Sequence, residues 1–346
     1  MTVPRNQIIV LFGGTSSERL VATASAQHIA DQIPDATFWF WMNEGSVSEV
    51  NRDELMGHYN PFKVEFRPEV RKFEWSSVDE ALDEGVRRQA IFFLSLHGGE
   101  GEDGSLQQKL ESRRLAFTGS GSEASALAFD KGWARATVTK SDIKVAAAVN
   151  VTVGDEGDYQ ELKSLHRMHR QLVAKPLRDG SSVGLAFLSS PDELDSWWWS
   201  NETRGRKYLV EERLFGREFT VGVADLGEGA HPLPVSEVVI TDPGGAFDYD
   251  GKYLGRGTRE ITPATVTDQE RALLHHLGLT AHNCLGCFGY SRTDVIMGPK
   301  GTYFLETNTL PGLTRASFIP QQLAAVGISM STFLSAQIDL ARQRYD

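Results

Sequence analysis

Gln7-Ile-Ile-Val-Leu-Phe12-Gly13-Gly14-Thr15-Ser16-Ser17 reads as a buried strand that runs into a turn of small residues, and from about Arg19 to Ile29 the apolar spacing turns helical. Strand, loop and helix in that order begin an α/β unit. Strand-like runs recur at Thr37 to Met42 and Ala90 to Leu96, with a helical pattern from Val78 to Arg88 between them, so about the first 120 residues read as one small α/β domain. Ligands of open α/β sheets bind beyond the carboxyl ends of the strands. Function is therefore expected in the loops that follow Phe12 and Leu96.

Further along, helical pattern spans Ala124 to about Thr139, and a second alternation follows: strand Gln171 to Lys175, a glycine-rich turn, strand Gly184 to Leu188, helix Pro191 to Ser200 and strand Lys207 to Glu212. Strands are expected near Arg217 to Val223 and His231 to Ile240. Then come a long polar loop from Thr241 to Pro263, a helix from about Asp268 to His282, two more strands and two closing helices. No internal repeat or low-complexity linker interrupts the chain.

At 346 residues the chain is long enough for two or three domains at about 150 residues each. Its 46 acidic residues outnumber 35 basic ones, for a net charge of -11, which argues against nucleic acid or an anionic membrane surface as the main partner. A bound polyanion would need a local basic pocket. Cys284 and Cys287 are the only cysteines, so no disulfide framework is expected and the cytoplasm is the natural compartment. No stretch approaches the roughly 20 apolar residues of a membrane span, and the run Ile8 to Phe12 is too short for a signal-peptide core.

Between Arg292 and Asn308, Arg-Thr-Asp-Val-Ile-Met and Tyr-Phe-Leu-Glu-Thr-Asn flank Gly298-Pro299-Lys300-Gly301, a hairpin pattern. Alternation puts Arg292 and Asp294 on one face and Glu306 and Asn308 on one face, and an even register sets Asp294 opposite Glu306, about 5 Å apart. Such a pair repels unless one carboxyl is protonated or a cation lies between them; oxygen-only ligands suit Mg2+ better than zinc. Solvated acids on an exposed face are the alternative. Lys175-Pro-Leu-Arg-Asp-Gly180-Ser181-Ser182-Val183-Gly184 places a lysine beside a loop whose backbone N–H groups could wrap a phosphate, or which simply turns the chain. Neither a Walker A loop nor a dinucleotide fingerprint is present.

Taken together these segments resemble the D-alanine–D-alanine ligases of the ATP-grasp superfamily. The resemblance rests on Gly13 to Glu18, Leu96 to Gly104, Thr118 to Gly121 with Asp130-Lys131, Lys175 to Gly184, Val210 to Thr220, Lys252-Tyr253, Gly286 to Gly289 and Arg292 to Gly312. It is weak at about Pro34 to Gln89 and Thr139 to His169, where the chain is expected to carry insertions. It implies an α/β fold, α+β in the ATP-grasp part: an N-terminal Rossmann-like domain (1–122), a central ATP-grasp subdomain (123–215) and a C-terminal ATP-grasp subdomain (216–346) with a lid loop (241–263).

By resemblance, Asp294, Glu306 and Asn308 hold Mg2+, or Mn2+ in its place, on ATP, while Lys131 and Lys175 contact the phosphates. Glu211 and the backbone from Glu212 to Leu214 receive adenine, Glu218 the ribose, and Lys252 also belongs to the nucleotide site. Glu18 binds the ammonium of the first D-alanine and links to Ser181 and to Tyr253 on the lid; His97 lines that pocket. Arg292 and the Gly312 N–H stabilise the oxyanion, and Ser317 takes the second substrate's carboxylate. ATP phosphorylates the first D-alanine, and the amine of the second attacks the acylphosphate, which a lid keeps from water. A cytoplasmic homodimer with small-molecule partners only, D-alanine and ATP, is expected.

Other readings remain open at this stage: a ligase adding D-serine or D-lactate, although Tyr253 speaks against lactate; a nucleotide-binding relative without catalysis; and, more distantly, a dehydrogenase. Cys284 and Cys287 read as core rather than a zinc or redox pair. Of Trp197, Trp198 and Trp199 at least one ring must face outward. Leu20 and Ala22 depart from the family pattern after Glu18, and Glu212 stands where lysine is common. Arg315 either forks onto a substrate carboxylate beside Ser317 or points to solvent and pairs with a nearby acid.

Overall fold

A computed structural model describes residues 7–69, 71–178, 184–241 and 257–345. The strands β1 (Ile8–Gly13), β2 (Thr37–Trp41), β3 (Val47–Val50), β4 (Arg71–Trp75), β5 (Ile91–Ser95) and β6 (Ala116–Phe117) form one six-stranded sheet in the order β4-β3-β2-β1-β5-β6. β1 is parallel to both β2 and β5, and its run from Ile9 to Phe12 is fully buried, as a central parallel strand covered on both faces must be. The chain leaves β1 through α1 (Arg19–Gln32) to β2 on one side and reaches β5 on the other through α3 (Val78–Arg87). That reversal opens a crevice at the carboxyl ends of β1 and β5. Gly13 makes the exit possible: at φ +91° its missing Cβ would stand 2.4 Å from the Trp41 carbonyl oxygen.

The stretch 34–89 is not an insertion outside the fold. It supplies β3, α2 (Arg52–Gly57) and β4, which extend the sheet antiparallel beyond β2. Likewise 139–169 forms β7 (Ala148–Thr152) and α7 (Glu156–His169), integral to a second sheet with β8 (Leu172–Pro176), β9 (Ala186–Leu188) and β10 (Lys207–Glu212), antiparallel in the order β7-β10-β8-β9. α7 and α8 (Pro191–Trp198) bury Leu162, Leu165, Leu194 and Trp198 against it. α8 starts where Ser190 accepts from Glu193 N at 3.2 Å with Pro191 in the first turn.

The three tryptophans divide as their helix dictates. Trp198 is buried and stacked on Tyr159 at 5.1 Å, Trp197 meets the Tyr208 ring edge-on at 4.9 Å, and Trp199 is exposed. Trp198→Ala is expected to cost about 3–5 kcal/mol of stability by opening a large cavity. Chemical denaturation would read this as a lower midpoint; an unchanged midpoint would show that the ring anchors nothing.

After α4 (Ser105–Ser112), the helical run expected from Ala124 to about Thr139 breaks into α5 (Ser122–Phe129) and α6 (Lys131–Thr139), because Asp130 caps α6 by accepting from Trp133 N at 3.0 Å. The third sheet contains β11 (Arg217–Asp225), β12 (Ala230–Pro232), β13 (Ser236–Ile240), β14 (Thr258–Ile261), β15 (Tyr290–Gly298) and β16 (Gly301–Asn308), in the order β14-β13-β11-β15-β16 with β12 also on β11. Two expectations change here. The strand read from His231 to Ile240 is split between β12 and β13 around Pro234, which lacks the N–H a ladder needs. The polar loop read to Pro263 ends early, in edge strand β14.

α9 (Asp268–Cys284), opened by a Thr267–Glu270 capping box, covers this sheet with Leu274, Leu277 and Ala281 against Phe219, Val221 and Val295. The closing helices α10 (Phe318–Ala325) and α11 (Met330–Arg342) return to the first sheet's core through Ile319, Leu323, Phe333, Leu334 and Ile338. Cys284 and Cys287 are free thiols packed beside the α9 core, and burial pushes Cys287 up to about 12. Among the described residues no single helix is long and apolar enough to cross a membrane.

Candidate active site

The crevice at β1 and β5 is lined by the loops that follow them. Glu18 is buried at the start of α1, and Gly98, at φ +64°, lies so close that a Cβ there would be 2.7 Å from Glu18 Oε2. Ser16 Oγ donates to the His97 carbonyl at 2.5 Å. His97 Nδ1 donates to Leu310 O at 2.9 Å, which leaves Nε2 of the neutral ring to accept from Ser25 Oγ at 3.0 Å. Burial holds this imidazole below its ordinary value, against the pull of the Glu18 carboxylate.

Glu102, a member of the same glycine-rich segment, ties the crevice to the third sheet. Its buried carboxylate accepts from Gly98 N at 3.1 Å, Thr309 N at 3.1 Å and Leu310 N at 3.2 Å. Burial, helped by the nearby Glu18 charge, raises it from 4.5 to about 7 despite those bonds. A carboxyl raised on folding binds more protons folded than unfolded between these values, so its contribution to stability falls as pH rises from 4.5 to about 7. His97 acts in the opposite sense, since its lowered pKa contributes stability above 6.5 that is lost on acidification. The difference between wild type and Glu102→Gln isolates the first effect. The wild type's melting temperature is expected to gain on the variant's as pH falls through that window, and a pH-independent difference would contradict it.

At the other edge of the site, β15 and β16 pair with Asp294 directly opposite Glu306 and Arg292 opposite Asn308, the register that alternation predicts. A β-bulge follows at Asp294/Val295. The repulsion of the two acids is met by protein cations. Arg292 forks onto Asp294, Nε to Oδ1 at 3.0 Å and Nη2 to Oδ2 at 2.9 Å, while Thr220 Oγ1 donates to Oδ1 at 2.6 Å. Lys131 Nζ stands 3.7 Å from Glu306 Oε2. Asn308 Nδ2 is buried without a partner among the described residues, and among them no three His, Cys, Asp or Glu side chains converge as a metal cluster.

Lys175 connects the second sheet to this hairpin. Burial opposes its charge, but Glu211, Glu306 and Glu218 together hold the ammonium above its usual range. Its partner Glu211 is buried and also accepts from Arg135 Nη1 at 3.0 Å. The sequence does not single out Arg135, although it lies four residues after Lys131 and so on the same face of α6. Lys131 N donates to Leu177 O at 3.1 Å, fixing α6 to the end of β8. Glu212 turns aside, accepting from Ala147 N at 3.0 Å and lying 2.9 Å from His169 Nδ1. Leu214 follows β10, where Arg213 stacks on Phe187 at 4.5 Å.

After β16 the chain passes Gly312, where a Cβ would stand 2.7 Å from Ser317 Oγ. That hydroxyl accepts from Thr314 N at 3.1 Å. Arg315 is exposed and paired with Asp31, the pairing with a nearby acid that is the alternative to a fork onto a substrate carboxylate. Leu20 and Ala22 leave α1 unbroken, with Ala22 in its buried face. Ser181, Lys252 and Tyr253, and with them most of the expected lid, lie outside the described residues.

Family models for the D-ala D-ala ligase N-terminus and C-terminus match residues 7–120 and 138–339. The chain belongs to the D-alanine–D-alanine ligase family. A D-alanine–D-alanine ligase of Leptospira interrogans serogroup Icterohaemorrhagiae serovar Lai is 38% identical over 98% of this chain and 99% of its own length. One from Syntrophobacter fumaroxidans is 35% identical over 99% of both. Among solved structures, the VanG D-Ala:D-Ser ligase from Enterococcus faecalis superposes with a TM-score of 0.79 at 26% identity, covering 97% of this chain and 99% of that one. The D-alanine-D-alanine ligase from Coxiella burnetii, at TM-score 0.77 and 24% identity over 98% and 96% of the two chains, shares the fold.

Proposed function

We propose that this member of the ligase family joins two D-alanines into D-alanyl-D-alanine at the expense of ATP, through a D-alanyl phosphate, as a step toward peptidoglycan precursors. The observation that carries the reading is the meeting of Lys131 and Lys175 with Glu306 and Glu218 between the second and third sheets. It supplies two ammonium groups that a nucleotide's phosphates could engage in a chain whose net charge is -11. The same reading divides the chain into domains 1–122, 123–215 and 216–346, and the presence of three separate sheets supports it.

Glu218 is assigned to the ribose, and the strand end from Glu211 to Leu214 to adenine, read mainly by backbone because Glu211 and Glu212 are engaged within the protein. Asp294, Glu306 and Asn308 are assigned to Mg2+, with Mn2+ as a substitute. The residues fit: Asp294 and Glu306 stand opposite each other on the hairpin, Asn308 lies two residues on from Glu306, and the set can offer two carboxylates and an amide oxygen, the hard oxygen ligands that Mg2+ takes. Bound there, the ion would neutralise charge on the phosphates and on the group in transfer.

Glu18 and His97 take the first D-alanine, with Glu18 facing its ammonium. A carboxylate oxygen of that D-alanine attacks the γ-phosphorus and ADP leaves; the second amine then attacks the acyl carbon, and phosphate departs. Arg292 and the Gly312 N–H stabilise the oxyanion, and Ser317 receives the second carboxylate. Ser181, Lys252 and Tyr253 keep the roles that the family resemblance gives them. A cytoplasmic homodimer completes the reading: two free cysteines suit a reducing compartment, and sedimentation would test the dimer.

A second reading, with D-serine as the acceptor, has the VanG neighbour in its favour at 26% identity, against 38% for the Leptospira relative. Mass spectrometry of products from ATP with D-alanine, D-serine and D-lactate separates the two. D-Alanyl-D-alanine is expected as the main product; a preference for D-alanyl-D-serine would move the chain to the second reading.

A further inference from the structure

β14 carries a carboxylate that the reaction as read above does not use. Glu260 is half-buried on this edge strand, opposite Val238 of β13. Its Oε2 accepts from Gln321 Nε2 at 2.8 Å, and the same nitrogen donates to Ala316 O at 2.6 Å. One amide nitrogen bonded to both brings the Glu260 carboxylate within two hydrogen-bond lengths of the main chain beside Ser317. Gln321 is also four residues after Ser317, on the same face of the helix start. The Arg292 charge also reaches Glu260, and Phe318, next to Ser317, lies under the Arg292 guanidinium at 5.8 Å. Burial pushes the Glu260 carboxyl up against the pull of Gln321 and Arg292. The carboxylate and the guanidinium are thus both tied to the segment that carries Ser317, one through Gln321 and Ala316, the other through Phe318.

We propose that Glu260 recognises the ammonium group of the second amino acid, and that this charge contact discriminates amino acids from 2-hydroxy acids at the acceptor position. The inference rests on the ligase reading above. An acceptor whose carboxylate is held at Ser317 has its nitrogen only two bonds from the carboxylate carbon, which directs it into the space between Glu260 and the acyl oxygen at Arg292. That is where the nitrogen must stand before it gives up a proton and attacks as the free amine. A hydroxy acid of the same shape presents a neutral hydroxyl there, whose single hydrogen bond to the carboxylate is weaker than an ammonium's charged one.

Bracing of α10 through Gln321 is the competing role for Glu260, and Glu260→Gln separates the two, because the glutamine oxygen can still accept from Gln321. With ATP and D-alanine, Glu260→Gln is expected to raise KM for the second D-alanine about 10- to 100-fold, as for a lost charged hydrogen bond. KM for ATP should stay within about twofold. The preference for D-alanine over D-lactate as acceptor should shrink by the same factor as the KM rises, and Glu260→Asp should restore part of both. Unchanged second-substrate KM and acceptor preference in Glu260→Gln, or a parallel change in every KM, would overturn the proposal while leaving the ligase reading intact. A wild-type enzyme that forms no dipeptide from D-alanine would overturn both.

Discussion

Glu306→Gln is expected to lower D-alanine-dependent ADP release by about a hundredfold or more while the protein stays folded. Glu306 stands opposite Asp294 on the hairpin, and its own cation, Lys131, is 3.7 Å away. Glutamine keeps the size and shape of the side chain and removes only the charge, so packing is undisturbed. The pair with Lys131 is mostly buried, at 11% and 28% exposed, and Glu306 also attracts Lys175, so its loss costs more than a surface pair does, up to about 3 kcal/mol of stability. With Glu306 as the proposed ligand, loss of its charge would weaken stabilisation of the phosphoryl group in transfer, where several kcal/mol are at stake and every 1.36 kcal/mol is about tenfold in rate. The expected signature is therefore a fall in turnover, measured well below the melting transition, alongside a lower melting temperature in a protein that remains folded. Turnover near the wild-type rate would remove Glu306 from the metal site.

Arg292→Lys is expected to cost about a hundredfold to a thousandfold in kcat with KM for ATP little changed. Lysine preserves the positive charge but cannot fork, and Arg292 uses both Nε and Nη2 on Asp294. Two functions fail together: a donor for the developing oxyanion is misplaced, which by itself accounts for about that loss, and Asp294 loses the partner that fixes its rotamer. A lysine variant within a few fold of wild type would exclude the oxyanion role.

Where hydropathy and alternation act alone, the sequence is legible. β1, β5 and β10 are continuous apolar or alternating runs, and the β15–β16 register follows from side-chain alternation across a Gly-Pro-Lys-Gly turn. β3 is hidden for a specific reason. Ser48 and Glu49 look like surface residues, yet both are buried, Glu49 because Arg88 donates to it at 2.7 Å from 39 positions away. β14 is hidden because an edge strand with an exposed Arg259 looks like the polar loop before it.

The site divides in the same way. Asp294 and Glu306 could be paired by alternation along the strands, whereas Lys175 reads only as a lysine beside a glycine-rich loop. Arg135 with Glu211, Glu102 with the segment after β16, and Arg315 with Asp31 join residues 76, 207 and 284 positions apart, and only the tertiary fold brings them together.

The proposed ligase reaction requires that the first D-alanine be activated through its carboxylate by phosphoryl transfer. It is tested most directly with D-alanine carrying isotopically heavy oxygen in its carboxylate, by mass spectrometry of the phosphate released with each dipeptide. One heavy oxygen is expected in every phosphate, because that oxygen bridges carbon and phosphorus before the second amine displaces it. Dipeptide formation with unlabelled phosphate would contradict it.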